Sequence, residues 1–174
     1  MSKQDRSFIP LNIAVLTISD TRTEADDKSG KLLCDRLTQA GHDINEKKIV
    51  PDDIYIIRAI VSAWFAAEKP DVVLATGGTG VTGRDGTPEA IRPLLDKEIS
   101  GFGEMFRVLS YETIKTSTLQ SRAFAGVANG TYIFCLPGSA GACAEAWDKL
   151  ISHQLDYRNR PCNLVELIPR LKEN

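Results

Sequence analysis

The sequence predicts an α/β fold in three layers, with helices flanking a mostly parallel central sheet and a β-hairpin at one edge. Three observations carry this reading. Short β-branched runs alternate with amphipathic segments through the first half of the chain, the pattern of consecutive β-α-β units. Asn129-Gly130 stands between two apolar segments, the strongest short-range hairpin signal. No repeat, low-complexity tract or linker interrupts the 174 residues, so residues 1–174 read as one domain with room for a sizeable core.

The elements follow in order. "NIAVLTIS" (Asn12 to Ser19) is fit for a buried strand. "KLLCDRLTQAG" is a helical pattern closed by Gly41 as the C′ residue. "INEKKIV" alternates weakly and suits an edge strand. From Asp53 onward, Ile54, Ile57, Ile60, Val61, Trp64 and Phe65 recur at three- and four-residue spacing, which is an amphipathic helix. "VVLAT" (Val72 to Thr76) is a second buried strand running straight into glycines. The next helix should open at Thr87 as N-cap, with Pro88 at N1 and Glu89 at N2. "GFGEMFRVLSYETI" and "STLQSRA" read as helical. Pro137-Gly138-Ser139 is a turn that places Ser139 at the head of a helix with Cys143, Ala146, Trp147, Leu150 and Ile151 on its buried stripe. Arg160-Pro161 breaks the chain before a last short helix.

Composition excludes several classes. At 43% hydrophobic and 25% charged residues the chain is that of a globular protein, and its net charge of -2 gives no reason to expect nucleic acid or an anionic membrane. No apolar run approaches the roughly 18 residues needed to span a bilayer, and the polar N-terminus has no signal-peptide core, so a cytoplasmic protein is expected. Cys34, Cys135, Cys143 and Cys162 form no C-x-x-C and read as buried structural thiols. His42 and His153 lie far apart in polar surroundings, against a histidine triad or zinc site.

The chemistry concentrates in "GGTGVTGRDG", Gly77 to Gly86. Gly78, Gly80 and Gly83 match G-x-G-x-x-G, but a dinucleotide fingerprint belongs on the first strand with its third glycine in a helix, whereas this follows the third strand and ends before the helix. A P-loop needs Lys and a hydroxyl after the last glycine, where this chain has Arg84-Asp85. An anion cradle remains: backbone amides and Thr79 take phosphate, Arg84 can hold it, and Asp85 holds a metal or positions a reactant. Parallel topology would bring two other strand-end loops to the same edge, carrying Ser19-Asp20 and Asp52. Three carboxylates converging on a phosphate pocket suit magnesium-dependent nucleotidyl or phosphoryl transfer. Taken singly, each aspartate also reads as a solvated loop residue or helix cap.

"TGGTGVTGRDGTPEA", with the strand before it, resembles the signature of the MoaB/MogA family of molybdenum cofactor biosynthesis proteins. The likeness continues through "SGFGEMFR", "STLQSRAFAGV" and "FCLPGS", across residues 11–165, and "TSTLQSRA" is nearest the MoaB branch. The resemblance implies a molybdopterin-binding-like fold assembling into trimers or hexamers. It implies a reaction of molybdopterin with ATP and Mg2+ that gives adenylylated molybdopterin and pyrophosphate, the product passing to a molybdate-insertion protein. Asp85 takes the position of the family's essential aspartate after the glycine loop and Asp52 that of the aspartate after its second strand, and the resemblance implies both as catalytic residues and Mg2+ ligands. Thr76, Gly77, Gly78, Thr79, Gly80 and Arg84 fall on the substrate- and phosphate-binding loop. Ser19 and Asp20 fall on the family's first strand end, and Pro137, Gly138 and Ser139 on its Pro-Gly turn. A non-catalytic molybdopterin-binding or assembly protein of the same pathway is the alternative function.

Overall fold

The computed structural model describes residues 6–67 and 69–173. Its strands are β1 (Asn12–Ile18), β2 (Asp43–Val50), β3 (Val72–Thr76), β4 (Lys97–Glu98), β5 (Phe124–Ala128) and β6 (Thr131–Leu136), in the order β2-β1-β3-β6-β5-β4. β1 pairs in parallel with β2 and β3, and β3 with β6. Only β5 opposes its neighbours. The fold is therefore α/β with a mostly parallel sheet flanked by helices. The carboxyl ends of four parallel strands share one edge.

Alternate side chains of the central strands enter two separate cores, as the pleat requires. Ile13, Val15, Val72, Leu74, Phe134 and Leu136 pack on one face against α1 (Lys28–Gln39), α4 (Ser100–Ile114) and α5 (Ala140–Ala146). Ala14, Leu16, Val73, Ala75, Ile133 and Cys135 face the other way, against α2 (Ile54–Ala66) and α3 (Thr87–Ile91). Strands covered on both faces are continuous apolar runs, which is why β1, β3 and β6 stand out in the sequence. β2 is the exposed edge, blunted by Glu46, Lys47 and Lys48. Gly41, with φ of +93°, ends α1 as expected. α5 runs on through a π-helical turn at Trp147–Ile151, and Val165–Arg170 form the last 3-10 turn.

Several local expectations are refined. The Asn129-Gly130 hairpin forms, with both residues at positive φ, and the two-residue strand β4 flanks it at the sheet edge. No periodicity can announce a strand of two residues. Thr87 is not a side-chain N-cap: Gly86 takes that position, and Thr87 begins the helix with its hydroxyl turned back to Gly77. His42 is not in polar surroundings. It is buried against Phe8 and Trp147, and its Nδ1 accepts from the Leu11 amide at 3.2 Å. Cys135 and Cys143 are buried thiols, but Cys162 is exposed. Phe102 and Phe106 belong to the core, whereas Met105 is exposed.

Candidate functional site

A cleft of about 520 Å³ opens at the carboxyl edge of the sheet, within the usual size range of small-molecule sites. The glycine loop after β3 forms its floor. Gly77 and Gly78 both have positive φ, +112° and +62°, and two successive left-handed residues turn backbone N–H groups to one side. Neither position tolerates a side chain. A Cβ on Gly77 would run into the Ile18 carbonyl, and one on Gly78 into the Thr87 hydroxyl and the Asp52 carboxylate. The loop is fastened from below. The Gly77 amide donates to Leu136 O at 3.0 Å, the Thr87 hydroxyl to Gly77 O at 2.8 Å, and the Thr87 amide to Gly78 O at 3.0 Å. The Thr76 hydroxyl, beneath the cleft, donates to Pro137 O at 2.9 Å and so links β3 to the turn after β6.

Asp85 closes the loop. Its carboxylate accepts from the amide and hydroxyl of Thr82, at 2.8 and 2.6 Å. These bonds, the hydroxyl first, hold its pKa below the ordinary aspartate value, so the group facing the cleft is ionised. Ser19, Gly77, Gly78, Thr79, Gly80, Pro137, Gly138 and Ser139 share the lining with it. Ser19 Oγ accepts from the amides of Thr21 and Arg22, which folds the first strand-end loop over the cleft. Ser139 caps α5, accepting from the Ala142 amide.

The three carboxylates reach the same end of the sheet without converging on one point. Asp20 accepts from Arg84, at 3.0 and 2.5 Å, and from the Asp52 amide at 3.0 Å. That pairing, the Arg84 bond above all, lowers the Asp20 pKa and leaves Arg84 engaged outside the cleft. Asp52 lies behind the loop and accepts from the Gly86 amide at 3.1 Å. Burial raises its pKa, and the neighbouring charges of Asp85 and Asp20 push the same way. Among the described residues no group of three or more His, Cys, Asp or Glu side chains is arranged to hold a metal.

The chain has counterparts among known proteins. A family model described as "Probable molybdopterin binding domain" matches residues 14–157. Molybdenum cofactor biosynthesis protein B of Escherichia coli (strain K12) is 56% identical over 173 residues, covering 99% of this chain and 100% of that protein. The corresponding protein of Bacillus cereus is 50% identical over 82% of this chain and 85% of its own. The chain belongs to the MoaB/MogA family of molybdenum cofactor biosynthesis proteins. The crystal structure of a molybdenum cofactor biosynthesis protein B shares its fold with a TM-score of 0.86 and 42% identity, covering 97% of this chain and 100% of that one. A tungsten cofactor synthesizing protein MoaB from Pyrococcus furiosus follows at 0.73 and 40%, over 83% and 92%. Like its relatives, the chain is a molybdenum cofactor biosynthesis protein, and among the described residues no helix is long and apolar enough to cross a membrane.

Within this family fold two arginines do structural work that sequence reasoning missed. Arg122 donates from Nε to Gly80 O at 2.6 Å and from Nη2 to Asp85 O at 2.7 Å, and its Nη1 pairs with Glu89. Its own amide donates to Thr79 O, so one residue clamps both limbs of the loop. Arg22 donates to Gly138 O at 2.7 Å and to Ser29 Oγ at 2.6 Å. Part of their signal was present: Arg122 lies in "STLQSRA", already singled out, and Arg22 follows Ser19-Asp20 in the first strand-end loop. Ser110, Ser117, Gln120 and Ser121 complete the far wall, where the 3-10 helix Lys115–Gln120 folds back beside α4.

Proposed function

We propose that the protein is a molybdopterin adenylyltransferase. A phosphate oxygen of molybdopterin attacks the α-phosphorus of ATP, a new P–O bond forms, the bond to the β-phosphate breaks, and pyrophosphate leaves. One observation carries the reading: an ionised carboxylate, Asp85, faces a cleft floored by a left-handed glycine pair. The amides of Gly78 and Thr79 and the Thr79 hydroxyl hold and orient phosphate, and the work is mostly positioning and charge neutralisation.

Magnesium fits this arrangement. Asp52 is pushed toward its neutral form by burial and by two neighbouring carboxylates, a local excess of negative charge that a cation relieves. Mg2+ usually takes one or two protein carboxylates and completes its shell with phosphates and water, so a cage of three side chains is not required. Asp85 and Asp52 are the residues that would hold it. When bound, it would offset the charge of the meeting phosphates.

The non-catalytic pterin-binding alternative is favoured by one observation, that Asp52, Asp20 and Arg84 do not line the cleft. Incubation with molybdopterin, ATP and Mg2+ separates the two. Adenylylated molybdopterin with stoichiometric pyrophosphate supports the transferase, and tight pterin binding without product supports the alternative.

The same reading includes a homotrimer or hexamer in the cytoplasm that hands its product to a molybdate-insertion protein. Met105, Val108, Tyr111 and Ile114 of α4 and the neighbouring Leu119 leave a large apolar surface exposed, which self-association would cover. Sedimentation at micromolar concentration tests it, and a monomer there would overturn it.

A further inference from the structure

Among the described residues lining the cleft, Arg22 is the only cation and Asp85 the only carboxylate. Arg84, the cation next to the glycine loop in sequence, is paired with Asp20 outside it. Arg22 is held at the junction of the two substrate loops. Its Nη2 donates to Gly138 O, and a Cβ on Gly138 would already touch the Gly77 Cα, so the two loops lie close together. Its Nη1 donates to the buried Ser29 hydroxyl. Both acceptors are neutral and use two of five guanidinium N–H groups, so three remain for a ligand.

Beneath it lies a charged platform. The Asp27 side chain is fully buried, yet it is satisfied by Lys47 at 3.0 Å, the Thr17 hydroxyl at 2.8 Å and the Gly30 amide at 3.0 Å. Lys47 supplies the direct counter-charge, while Arg22 stands farther from Asp27, at 4.0 Å. The guanidinium is thus fixed in place without being neutralised by a close ion pair. Planar, rigid and permanently charged, it matches the geometry of a phosphate ester.

We propose that Arg22 makes this cleft selective for a phosphorylated ligand, taking a phosphate ester on its free N–H groups. The inference deepens the proposed reading and rests on it for the identity of the ligands, which are a phosphorylated pterin and a nucleotide.

The test uses the full-length protein and its Arg22→Gln and Arg22→Lys variants, with titration calorimetry on three probes: 6-hydroxymethylpterin phosphate, neutral 6-hydroxymethylpterin and ATP. Arg22→Gln should weaken a phosphorylated probe roughly 10- to 100-fold, the worth of a charge-assisted hydrogen bond. It should leave the neutral pterin unchanged, and Arg22→Lys should recover part of the loss. The difference between wild type and Arg22→Gln should shrink as salt is raised. Loss confined to the pterin phosphate, or to ATP, supports the proposal and says which ligand owns the anion. Equal binding of all probes by wild type and Arg22→Gln overturns it. So does failure of the wild type to prefer the phosphorylated over the neutral pterin and to bind ATP. A parallel fall for the neutral pterin also overturns it, since that marks a merely structural residue. A wild type that shows the Arg22-dependent binding yet makes no adenylylated product would sink the transferase reading alone.

Discussion

The two sides of the glycine loop share a backbone and differ in how their charges are used. On the cleft side, Asp85 is kept ionised by Thr82, and Arg22 is anchored through neutral acceptors with donors to spare. Behind the loop, Asp20 is bonded to Arg84 and to the Asp52 amide, and Asp52 is half-buried beside like charges. The cleft side keeps opposite charges apart and available, while the rear side either pairs them or crowds them. On the proposed reading the loop receives phosphates, and it gains from the first arrangement because preorganised charge costs no reorganisation when the ligand arrives. The second arrangement serves the loop's shape.

The largest effect should come from the cleft side. Asp85→Asn retains an oxygen to accept from Thr82, so the loop should stand and molybdopterin should still bind. Adenylyl transfer should fall by roughly 10²–10³, about 3–4 kcal/mol of barrier. Full turnover by this variant would remove Asp85 from the chemistry, and lost pterin binding in a folded protein would make it a ligand-holding residue instead.

Next comes the clamp. Arg122→Met removes the partners of Gly80 O and Asp85 O and leaves Glu89 without its cation. A loss of about 2 kcal/mol in urea denaturation is expected, from carbonyls left unsatisfied. Arg122→Lys should recover only part, because one ammonium cannot reproduce the fork. Unchanged stability in both variants would show that the loop holds itself.

A smaller effect is expected at Thr87, whose buried hydroxyl donates to Gly77 O. Thr87→Val should cost about 1 kcal/mol and Thr87→Ser much less, both read by thermal melting. A Val variant as stable as wild type would mean that the amide bond to Gly78 O is sufficient.

The same contrast decides what could be read from the chain itself. β1, α2 and β3 were legible to within a residue or two, because strands buried on both faces and a helix with one apolar face leave periodic marks. The glycine loop was legible because left-handed backbone demands glycine. Local rules could not say which way the three aspartates turn. Asp20 and Arg84 are 64 residues apart and meet only through the parallel register of the sheet. Thr87 read as a cap because a local rule offers it that role, and a tertiary bond to Gly77 O took precedence. Arg22 and Arg122 were overlooked for the same reason: their partners, Gly138 O and Gly80 O, are backbone atoms 116 and 42 residues away.

The smallest effect, and the one most specific to the rear side, concerns Asp52. Its folded-state pKa lies above the ordinary aspartate value of 3.8, first through burial and then through Asp85 and Asp20. The folded protein therefore holds this proton more tightly than the unfolded chain, and the carboxylate costs stability as pH rises through and beyond 3.8. Asp52→Asn removes that cost while keeping an oxygen for the Gly86 amide. At neutral pH the variant should be as stable as wild type or more so, by no more than about 1 kcal/mol given the group's partial exposure. The gain should vanish as pH falls toward 3.8. Adenylyl transfer should nonetheless drop if Asp52 shares the magnesium, so stability and activity should move in opposite directions. Added Mg2+ should raise the melting temperature of the wild type more than that of the variant. An Asp52→Asn protein that is less stable than wild type at pH 7 would mean that the Gly86 bond to a charged oxygen outweighs the crowding. The two sides of the loop would then use their carboxylates alike.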